Sequence, residues 1–328
     1  MTLLQTLLDG GTLGAAGGRA LVAELPDLPE AVAGAILGIL RVRGVEPATL
    51  AGIAAELRER ALDPGLPVDR ARPLVDTCGT GGDGSHSLNL STGAAILAAA
   101  CGLQVAKHGN RSISSRSGSS DVLSALGLVD DTFRTTGFAY LHAPSFHPAM
   151  ARLAPVRRAL GVRTVFNLVG PLCNPARPTH QVLGVARAAD ARIVAEALAG
   201  LGGTAFVVHG LNGWDEATPA APFLCLHVAD GTVTEAVRDP AEAGLRTCAD
   251  DDLRGSSATE NARRLAAALS GGDTVAHRDA LCLGAGLALE VTQTVGSLAE
   301  GVAAARTAIA SGRAASTLEA LREVAHAG

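Results

Sequence analysis

The sequence predicts an α/β fold: a small all-helical domain and a larger α/β domain, in which helices flank a central, mostly parallel sheet. Residues 1–70 show only helical spacing, and after residue 71 short apolar runs alternate with alanine-rich segments. Apolar residues make up 48% of the chain but include only one Trp, one Tyr and six Phe. The core must therefore consist of Ala, Leu and Val, which favours helices packed around a sheet. A chain of 328 residues is long enough for about two domains. We place these at residues 1–70, completed by helices within about 147–175, and at residues 71–328.

Amphipathic helices are predicted within the first 70 residues. Val32, Ile36, Ile39 and Leu40 follow the spacing of one helical face, and EPATLAGIAAELRERAL repeats the pattern after a turn at Gly44. Such apolar faces on short helices need cover, either from the rest of the chain or from a second copy. We expect a homodimer through this part. The proline-rich segment DPGLPVDRARP then has the composition of a linker.

The stretch VDTCGTGGDGSHSLNLST, residues 75–92, predicts a strand, a glycine loop and a helix beginning near Ser91. Glycine at positions 79, 81, 82 and 84 leaves backbone N–H groups accessible to a ligand. Ser91 and Thr92 occupy the positions of N-cap hydroxyls. A loop of this kind before a helix N-terminus is typical of a phosphate site, and a tight structural turn would use the same glycines.

The glycine loop argues against two nucleotide-binding alternatives. Gly79, Gly81 and Gly84 match G-x-G-x-x-G, but the dinucleotide fold also needs an acid about 20 residues later, and residues 104–107 have none. No Gly-Lys-Ser/Thr follows, so the P-loop pattern also fails. Asp83 indicates that a cation or a sugar hydroxyl separates its carboxylate from any phosphate bound here.

Two later loops carry charges that suit a polyphosphate. Lys107, Arg111 and Arg116 lie among serines in the second strand-to-helix loop, and such loops gather at one edge of a parallel sheet. Asp215 and Glu216 follow the strand TAFVVHG, where adjacent carboxylates can hold Mg²⁺ that bridges to phosphates. Each group taken alone is also typical of an exposed charged loop.

The remaining segments complete the predicted fold. QVLGVA, ADARIVAEALAGLG and TAFVVHG predict a strand, a helix and a strand, and LCLHVADGTVTEAV predicts a hairpin turning at Asp230–Gly231. Residues 258–325 predict three helices. Arg163 stands alone before an apolar run, where it either pairs structurally or clamps a carboxylate.

Composition and charge exclude several classes of protein. The net charge of −5 argues against a broad nucleic-acid surface. Six scattered cysteines form no C-x-x-C motif, which disfavours zinc and redox sites and favours reduced thiols in the cytoplasm. The N-terminus lacks a basic region, so we expect no signal peptide. The uncharged stretch 85–106 is polar in its first half and predicts a buried helix, not a membrane span.

Five motifs, in chain order, resemble those of the anthranilate phosphoribosyltransferase family: DTCGTGGDGSHSLNLST, KHGNRSISSRSGSSDVLSALG, HPAM, GVRTVFNLVGPLCNPA and VVHGLNGWDE. The resemblance covers nearly the whole chain. It implies a cytoplasmic homodimer that transfers the 5-phosphoribosyl group of phosphoribosyl pyrophosphate (PRPP) to the amine of anthranilate and releases pyrophosphate, a step of tryptophan biosynthesis. Mg²⁺ is the implied cofactor, and neither nucleic acid nor membrane is an implied partner.

The resemblance also implies site residues, position by position. The implied PRPP site consists of Gly79, Gly82, Asp83, Ser87, Asn89, Leu90, Ser91, Thr92, Lys107, His108, Gly109, Asn110, Arg111, Ser112, Ile113, Ser114, Ser115 and Ser119. The implied anthranilate site consists of Gly79, His108, Asn110 and Arg163, with Arg163 on the carboxylate. Ser91, Asp215 and Glu216 are implied to hold Mg²⁺ directly or through water. No covalent nucleophile is implied, and attack by the amine from the opposite face gives inversion.

Two functions of related proteins remain as alternatives. A pyrimidine-nucleoside phosphorylase of the same fold would place the acid of its phosphate loop differently, and a non-catalytic nucleic-acid-binding relative would need a basic face. The sequence departs from the family pattern, without removing an implied ligand, at Ser87, Ser120, Ser124, Leu141–His142 and Gly284.

Overall fold

The structure of this protein is a computed structural model. It describes residues 2–110, 117–128 and 133–327, with side chains to residue 323.

The N-terminal part is helical, as predicted. Its helices are α1 (Leu3–Leu8), α2 (Gly14–Glu24), α3 (Glu30–Arg43) and α4 (Pro47–Glu59), with a 3₁₀ turn at Leu25–Asp27. Residues 60–73 contain neither helix nor strand, in agreement with the predicted linker. Helices α2 and α4 cross in backbone contact: a Cβ added at Gly52 would lie 2.8 Å from the carbonyl carbon of Ala15. Only glycine permits this approach.

One seven-stranded sheet organises the rest of the chain. Its strands are β1 (Leu74–Gly79), β2 (Gln104–Gly109), β3 (Phe138–His142), β4 (His180–Gly184), β5 (Thr204–Gly210), β6 (Phe223–Ala229) and β7 (Thr232–Arg238). They lie in the order β3-β2-β1-β4-β5-β6-β7; β1 to β5 pair in parallel, and β6 and β7 are antiparallel. The prediction of an α/β fold with a mostly parallel sheet is confirmed.

Helices cover both faces of the sheet. The helices that connect the strands along the chain are α5 (Leu90–Ala100), α6 (Ser119–Ala125), α7 (Phe133–Thr136), α8 (Ala143–Phe146), α9 (Pro148–Ala151), α10 (Ala154–Leu160), α11 (Val165–Val169) and α12 (Ala188–Gly200). The C-terminal helices are α13 (Ala258–Leu269), α14 (Val275–Val291), α15 (Leu298–Ala310) and α16 (Arg313–Ala327). Short 3₁₀ turns occupy Gly170–Cys173, Pro240–Ala243 and Asp250–Leu253. The alanine-rich α5 is almost wholly buried and packs against β1, β2 and α14.

Several element boundaries differ from the predictions. Helix α5 begins at Leu90 with Asn89 at the N-cap, so Ser91 and Thr92 lie in its first turn and not at the cap. Strand β3 was not predicted, because FAYLH is short and mixes polar and aromatic residues. The last predicted helix is two helices, because the chain turns at Gly312 with φ of 80°. The hairpin turn at Asp230–Gly231 is correct, and both residues have the positive φ that a two-residue turn requires.

The helices show no membrane span. Among the residues described, none combines the length and the hydropathy that crossing a bilayer requires.

Candidate active site

The carboxyl ends of β1 and β2 open into the main cavity, which has a volume of about 780 Å³. Its walls come from the glycine loop after β1, the loop after β2, the Asp215–Glu216 pair after β5, and the segment from α8 to α11. This is the edge at which the loops of a parallel sheet are expected to meet. The three loops singled out from the sequence are therefore brought together.

The glycine loop wraps around the Asp215 carboxylate. The Gly81 N–H donates to Asp215 Oδ2 at 2.5 Å, and the Asp215 N–H donates to Asp83 Oδ2 at 3.2 Å. A Cβ at Gly79 would lie 2.6 Å from Asp215 Oδ2. The neighbouring carboxylate thus leaves no room for a side chain at position 79. From the sequence, the absence of a side chain there was expected to admit a ligand.

Glu216 joins the start of α5 to the end of the glycine loop. Its Oε2 accepts from Ser87 Oγ at 2.9 Å, and its Oε1 accepts from the Ser91 N–H at 3.0 Å. These contacts place Ser91, Asp215 and Glu216 side by side, as a shared metal site would require.

The acidic pair is half-buried next to a third carboxylate. Burial and the negative charge of Asp83 raise the pKa of Glu216 to about 7. Burial, Asp83 and Glu216 raise the pKa of Asp215 well above its ordinary value. No group of three or more His, Cys, Asp or Glu side chains in the described part of the chain is arranged around one metal position. The oxygen donors of this pair nevertheless have the chemistry that Mg²⁺ prefers, and a cation there would relieve the repulsion.

Lys107 supplies a buried positive charge under the same loop. Its side chain is 1% exposed, and Nζ donates to the Thr77 carbonyl at 2.6 Å and to Ser91 Oγ at 3.4 Å. Burial lowers the pKa of Lys107, whereas the negative charge of Asp76 acts in the opposite direction. The ammonium is therefore fixed by the backbone of β1 and points at the first turn of α5.

Asp76, which the sequence analysis did not single out, braces the second loop. Its Oδ1 accepts from the His108 N–H at 3.2 Å and its Oδ2 accepts from Asn174 Nδ2 at 2.9 Å. Burial raises the pKa of Asp76 to about 6, although the neighbouring Lys107 opposes this rise. No local sequence pattern marks Asp76 and Asn174, because the contact joins positions 98 residues apart.

The glycine loop and the loop after β2 touch through their side chains. Asn89 Nδ2 donates to the Ser117 carbonyl at 3.2 Å, and Ser117 Oγ donates to Asn89 Oδ1 at 3.0 Å. Thr92 Oγ1 donates to Ser119 Oγ at 3.2 Å. The predicted site residues Arg111, Ser112, Ile113, Ser114 and Ser115 lie outside the described residues.

Most of the described residues predicted for PRPP line the cavity: Gly79, Gly82, Asp83, Ser87, Asn89, Ser91, Lys107, His108, Gly109, Asn110 and Ser119. Leu90 and Thr92 do not line it, because the side chain of each is buried against the core of the sheet domain.

Arg163 reaches the glycine loop from the opposite wall. Its Nη1 donates to the Gly81 carbonyl, and its Nη2 is buried without a hydrogen-bond partner among the described residues. A buried guanidinium N–H of this kind is costly until an acceptor arrives. The orphaned donor therefore marks a position for an anionic group of a ligand.

Two histidines face the cavity beside Arg163. The rings of His108 and His147 stand edge to face with centroids 5.2 Å apart, and each Nε2 lacks a partner among the described residues. Burial lowers the pKa of His108 to about 3 and lowers that of His147, so both rings are neutral at physiological pH. His147 lies in the HPAM segment, which the sequence analysis quoted without assigning it a role.

Comparisons with known proteins agree with this geometry. A family model described as the glycosyl transferase family, a/b domain, matches residues 71–315. The anthranilate phosphoribosyltransferase of Synechococcus sp. is 46% identical over 323 residues, which cover 95% of this chain and 92% of that protein.

Solved structures of similar proteins extend over the whole fold. The anthranilate phosphoribosyltransferase of Thermus thermophilus superimposes with a TM-score of 0.91 at 38% identity, covering 99% of this chain and 100% of that one. The enzyme of Saccharomyces cerevisiae in complex with PRPP and Mg gives 0.87 at 26% identity, covering 99% and 97%. By sequence over nearly its full length, this chain belongs to the anthranilate phosphoribosyltransferase family.

Proposed function

We propose that this protein transfers the 5-phosphoribosyl group of PRPP to the amine of anthranilate and releases pyrophosphate, in tryptophan biosynthesis. One observation carries the proposal. The glycine loop, buried Lys107 and the Asp215–Glu216 pair converge on one cavity, whose opposite wall presents the unpaired Nη2 of Arg163. A polyanionic donor and a carboxylate-bearing acceptor together satisfy both walls.

The donor half of the site stabilises the leaving pyrophosphate. Lys107 holds a positive charge next to Ser91. Pre-positioned charges and donors of this kind act on the negative charge that develops as the bond from C1 of ribose to oxygen breaks. The electron pair of that bond leaves with pyrophosphate.

We propose Mg²⁺ as the cofactor, held by Ser91, Asp215 and Glu216. These crowded, half-buried carboxylates fit a hard divalent cation, and the raised pKa values of Asp215 and Glu216 support this. When bound, the ion neutralises charge on the pyrophosphate oxygens. The yeast relative was solved in complex with the same pair, PRPP and Mg.

The acceptor half of the site orients anthranilate. Arg163 Nη2 binds the carboxylate, and His108 and Asn110 line the same cavity. The amine attacks C1 from the face opposite pyrophosphate, forms the N–C1 bond with inversion and loses a proton. No covalent intermediate with the protein is required, and much of the rate comes from holding both substrates in one cavity.

A fluorescence assay tests this function. We expect anthranilate to be consumed only when PRPP and Mg²⁺ are both present. Phosphate-dependent cleavage of a pyrimidine nucleoside, without consumption of anthranilate, would instead support the phosphorylase alternative.

We also propose that residues 1–70, completed by helices within 147–175, form a small domain through which two copies pair. Helix α3 packs against α10, and α4 packs against α11. On this part of the surface Leu8 is 63% exposed and Val42 is 87% exposed, and a second copy would cover them. Light scattering after size exclusion at low concentration should give the mass of a dimer. A monomer at all concentrations would contradict this proposal.

A cytoplasmic location is the compartment that we propose. Its support is chemical: Cys78, Cys101, Cys173, Cys225, Cys248 and Cys282 are all free thiols. Fractionation of the producing cell tests it, and enrichment outside the cytoplasm would contradict it.

A further inference from the structure

The segment before α13 runs alongside the end of the glycine loop. The Leu88 N–H donates to the Leu253 carbonyl at 2.9 Å, and the Gly255 N–H donates to the His86 carbonyl at 2.8 Å. Ser87 and Arg254 form an isolated antiparallel bridge between these bonds. A stretch far along the chain is therefore paired with the loop that leads into α5.

Asn261, in the first turns of α13, connects this segment to both donor loops. Its side chain is 1% exposed, and Nδ2 donates to Asn89 Oδ1 and to Ser117 Oγ, each at 2.9 Å. Its Oδ1 accepts from the Ser256 N–H at 2.6 Å. Both N–H donors and the oxygen of this amide are thus occupied. One buried side chain bonds to the last residue of the glycine loop and to the end of the loop after β2.

This arrangement determines what the start of α5 can bind. Asn89 is the N-cap of α5, yet its side chain makes no capping hydrogen bond. Its Oδ1 accepts from Asn261 and Ser117 instead, which uses both lone pairs. The Ser91 N–H consequently donates to Glu216 and not to the cap. Asn261 therefore influences the first turn of α5 as well as the two loops.

We propose that Asn261 is a positioning residue for the phosphoribosyl donor: it holds the glycine loop, the loop after β2 and the start of α5 in the register that binds PRPP, without contacting substrate. The inference rests on the proposed function, because it takes PRPP as the donor. No acceptor contact is involved, so the effect of losing Asn261 falls on the donor and not on anthranilate.

The variant Asn261→Asp is the sharpest test. Aspartate keeps the size and the oxygen that accepts from Ser256, but it replaces both N–H donors by an oxygen facing Asn89 Oδ1. We expect the Kd for PRPP with Mg²⁺, measured by calorimetry, to rise at least tenfold. The KM for anthranilate should change less than twofold. The matched control is Arg264→Ala on the same helix. This variant breaks an ion pair at 3.0 Å with Asp273, which lies between α13 and α14, and it should lower Tm and leave PRPP binding unchanged.

A double-mutant cycle supplies a second measurement. Ser117→Ala removes one acceptor of Asn261 and should weaken PRPP binding at least threefold. Combined with Asn261→Asp it should weaken binding less than the product of the two single effects, because both changes break the same network. If Asn261→Asp does not fold, Asn261→Ser replaces it in the double-mutant cycle with Ser117→Ala.

Two results would overturn the proposal: a Kd for PRPP within twofold of wild type in Asn261→Asp, or an equal loss in Arg264→Ala. Calorimetry needs no acceptor, so it separates this inference from the proposed function. A wild type that binds PRPP but does not consume anthranilate contradicts the proposed acceptor, and the Asn261 comparison still stands. A wild type that does not bind PRPP contradicts both.

Discussion

Replacing Glu216 by Gln should make the metal-free protein more stable and the enzyme much less active. Glutamine preserves both hydrogen bonds of the site, because its oxygen can accept from the Ser91 N–H and its amide can donate to Ser87 Oγ. Only the negative charge is lost. The charge is unfavourable to the folded state, since burial and Asp83 raise the pKa of Glu216 from an ordinary value of 4.5 to about 7.

The magnitude follows from this difference in pKa. A raised pKa for an acid means that the folded state binds the proton more tightly than the unfolded state does. The resulting stability is complete below about pH 4.5 and is lost as pH rises to about 7. The difference corresponds to about 3 kcal/mol. Glu216→Gln should therefore unfold with a free energy up to about 3 kcal/mol higher than wild type at pH 8, and only about 0.8 kcal/mol higher at pH 5.

Urea unfolding in EDTA at pH 5 and pH 8 measures this difference. Titrating groups that Glu216 does not influence, such as Asp76, cancel because both proteins carry them. Loss of the Glu216 charge also lowers the pKa of Asp215, which acts in the same direction. The same variant should lose at least tenfold in Mg²⁺-dependent kcat/KM, a barrier increase of about 1.4 kcal/mol or more. An identical pH dependence of stability in the two proteins would refute the assignment of a buried, destabilising charge. Full activity in the variant would refute its role in holding the cation.

Three further changes test other parts of the structure. Arg163→Ala should raise the KM for anthranilate by about 10-fold to 100-fold, as expected for loss of a charge-assisted hydrogen bond. Arg158→Ala, at an exposed position, is the control. An equal rise in the KM for PRPP would show that the main role of Arg163 is its contact with Gly81. Gly52→Ala should lower the unfolding free energy by about 2 kcal/mol or more, because the new methyl group meets the α2 backbone. Gly38→Ala, also within a helix but with no atom within 4 Å of its Cβ, should raise stability by about 0.5–1 kcal/mol in the same urea titration; equal shifts in the two glycine variants would contradict the close crossing.

The sequence was sufficient for the parts of the fold that local patterns determine. The strand TAFVVHG and the helix Ala258–Leu269 lie where the apolar patterns predict them. The Asp230–Gly231 turn is set by two residues that accept positive φ. The meeting of the glycine loop with Asp215 also follows from sequence, because the carboxyl ends of parallel strands share one edge.

Long-range contacts account for what could not be predicted. Asn261 bonds to Asn89 across 172 residues, and no local sequence pattern indicates that these two side chains meet. The start of α5 near Ser91 was predicted correctly, but its N-cap was not. Hydroxyls at Ser91 and Thr92 are good caps by local rules, whereas in the fold they contact Lys107 and Ser119. The roles of the individual site residues remain predictions, which the experiments above test.

The pairing of β5 on both of its edges has a mechanical consequence. Strand β5 is hydrogen-bonded to β4 on one side and to β6 on the other. The Asp215–Glu216 pair therefore follows an interior strand that is held along both edges. The opposite wall of the cavity consists of α8 to α11, which are short helices of four to seven residues separated by turns. We therefore expect the motions that admit substrates and release products to occur in α8 to α11, and the Asp215–Glu216 pair to keep its position.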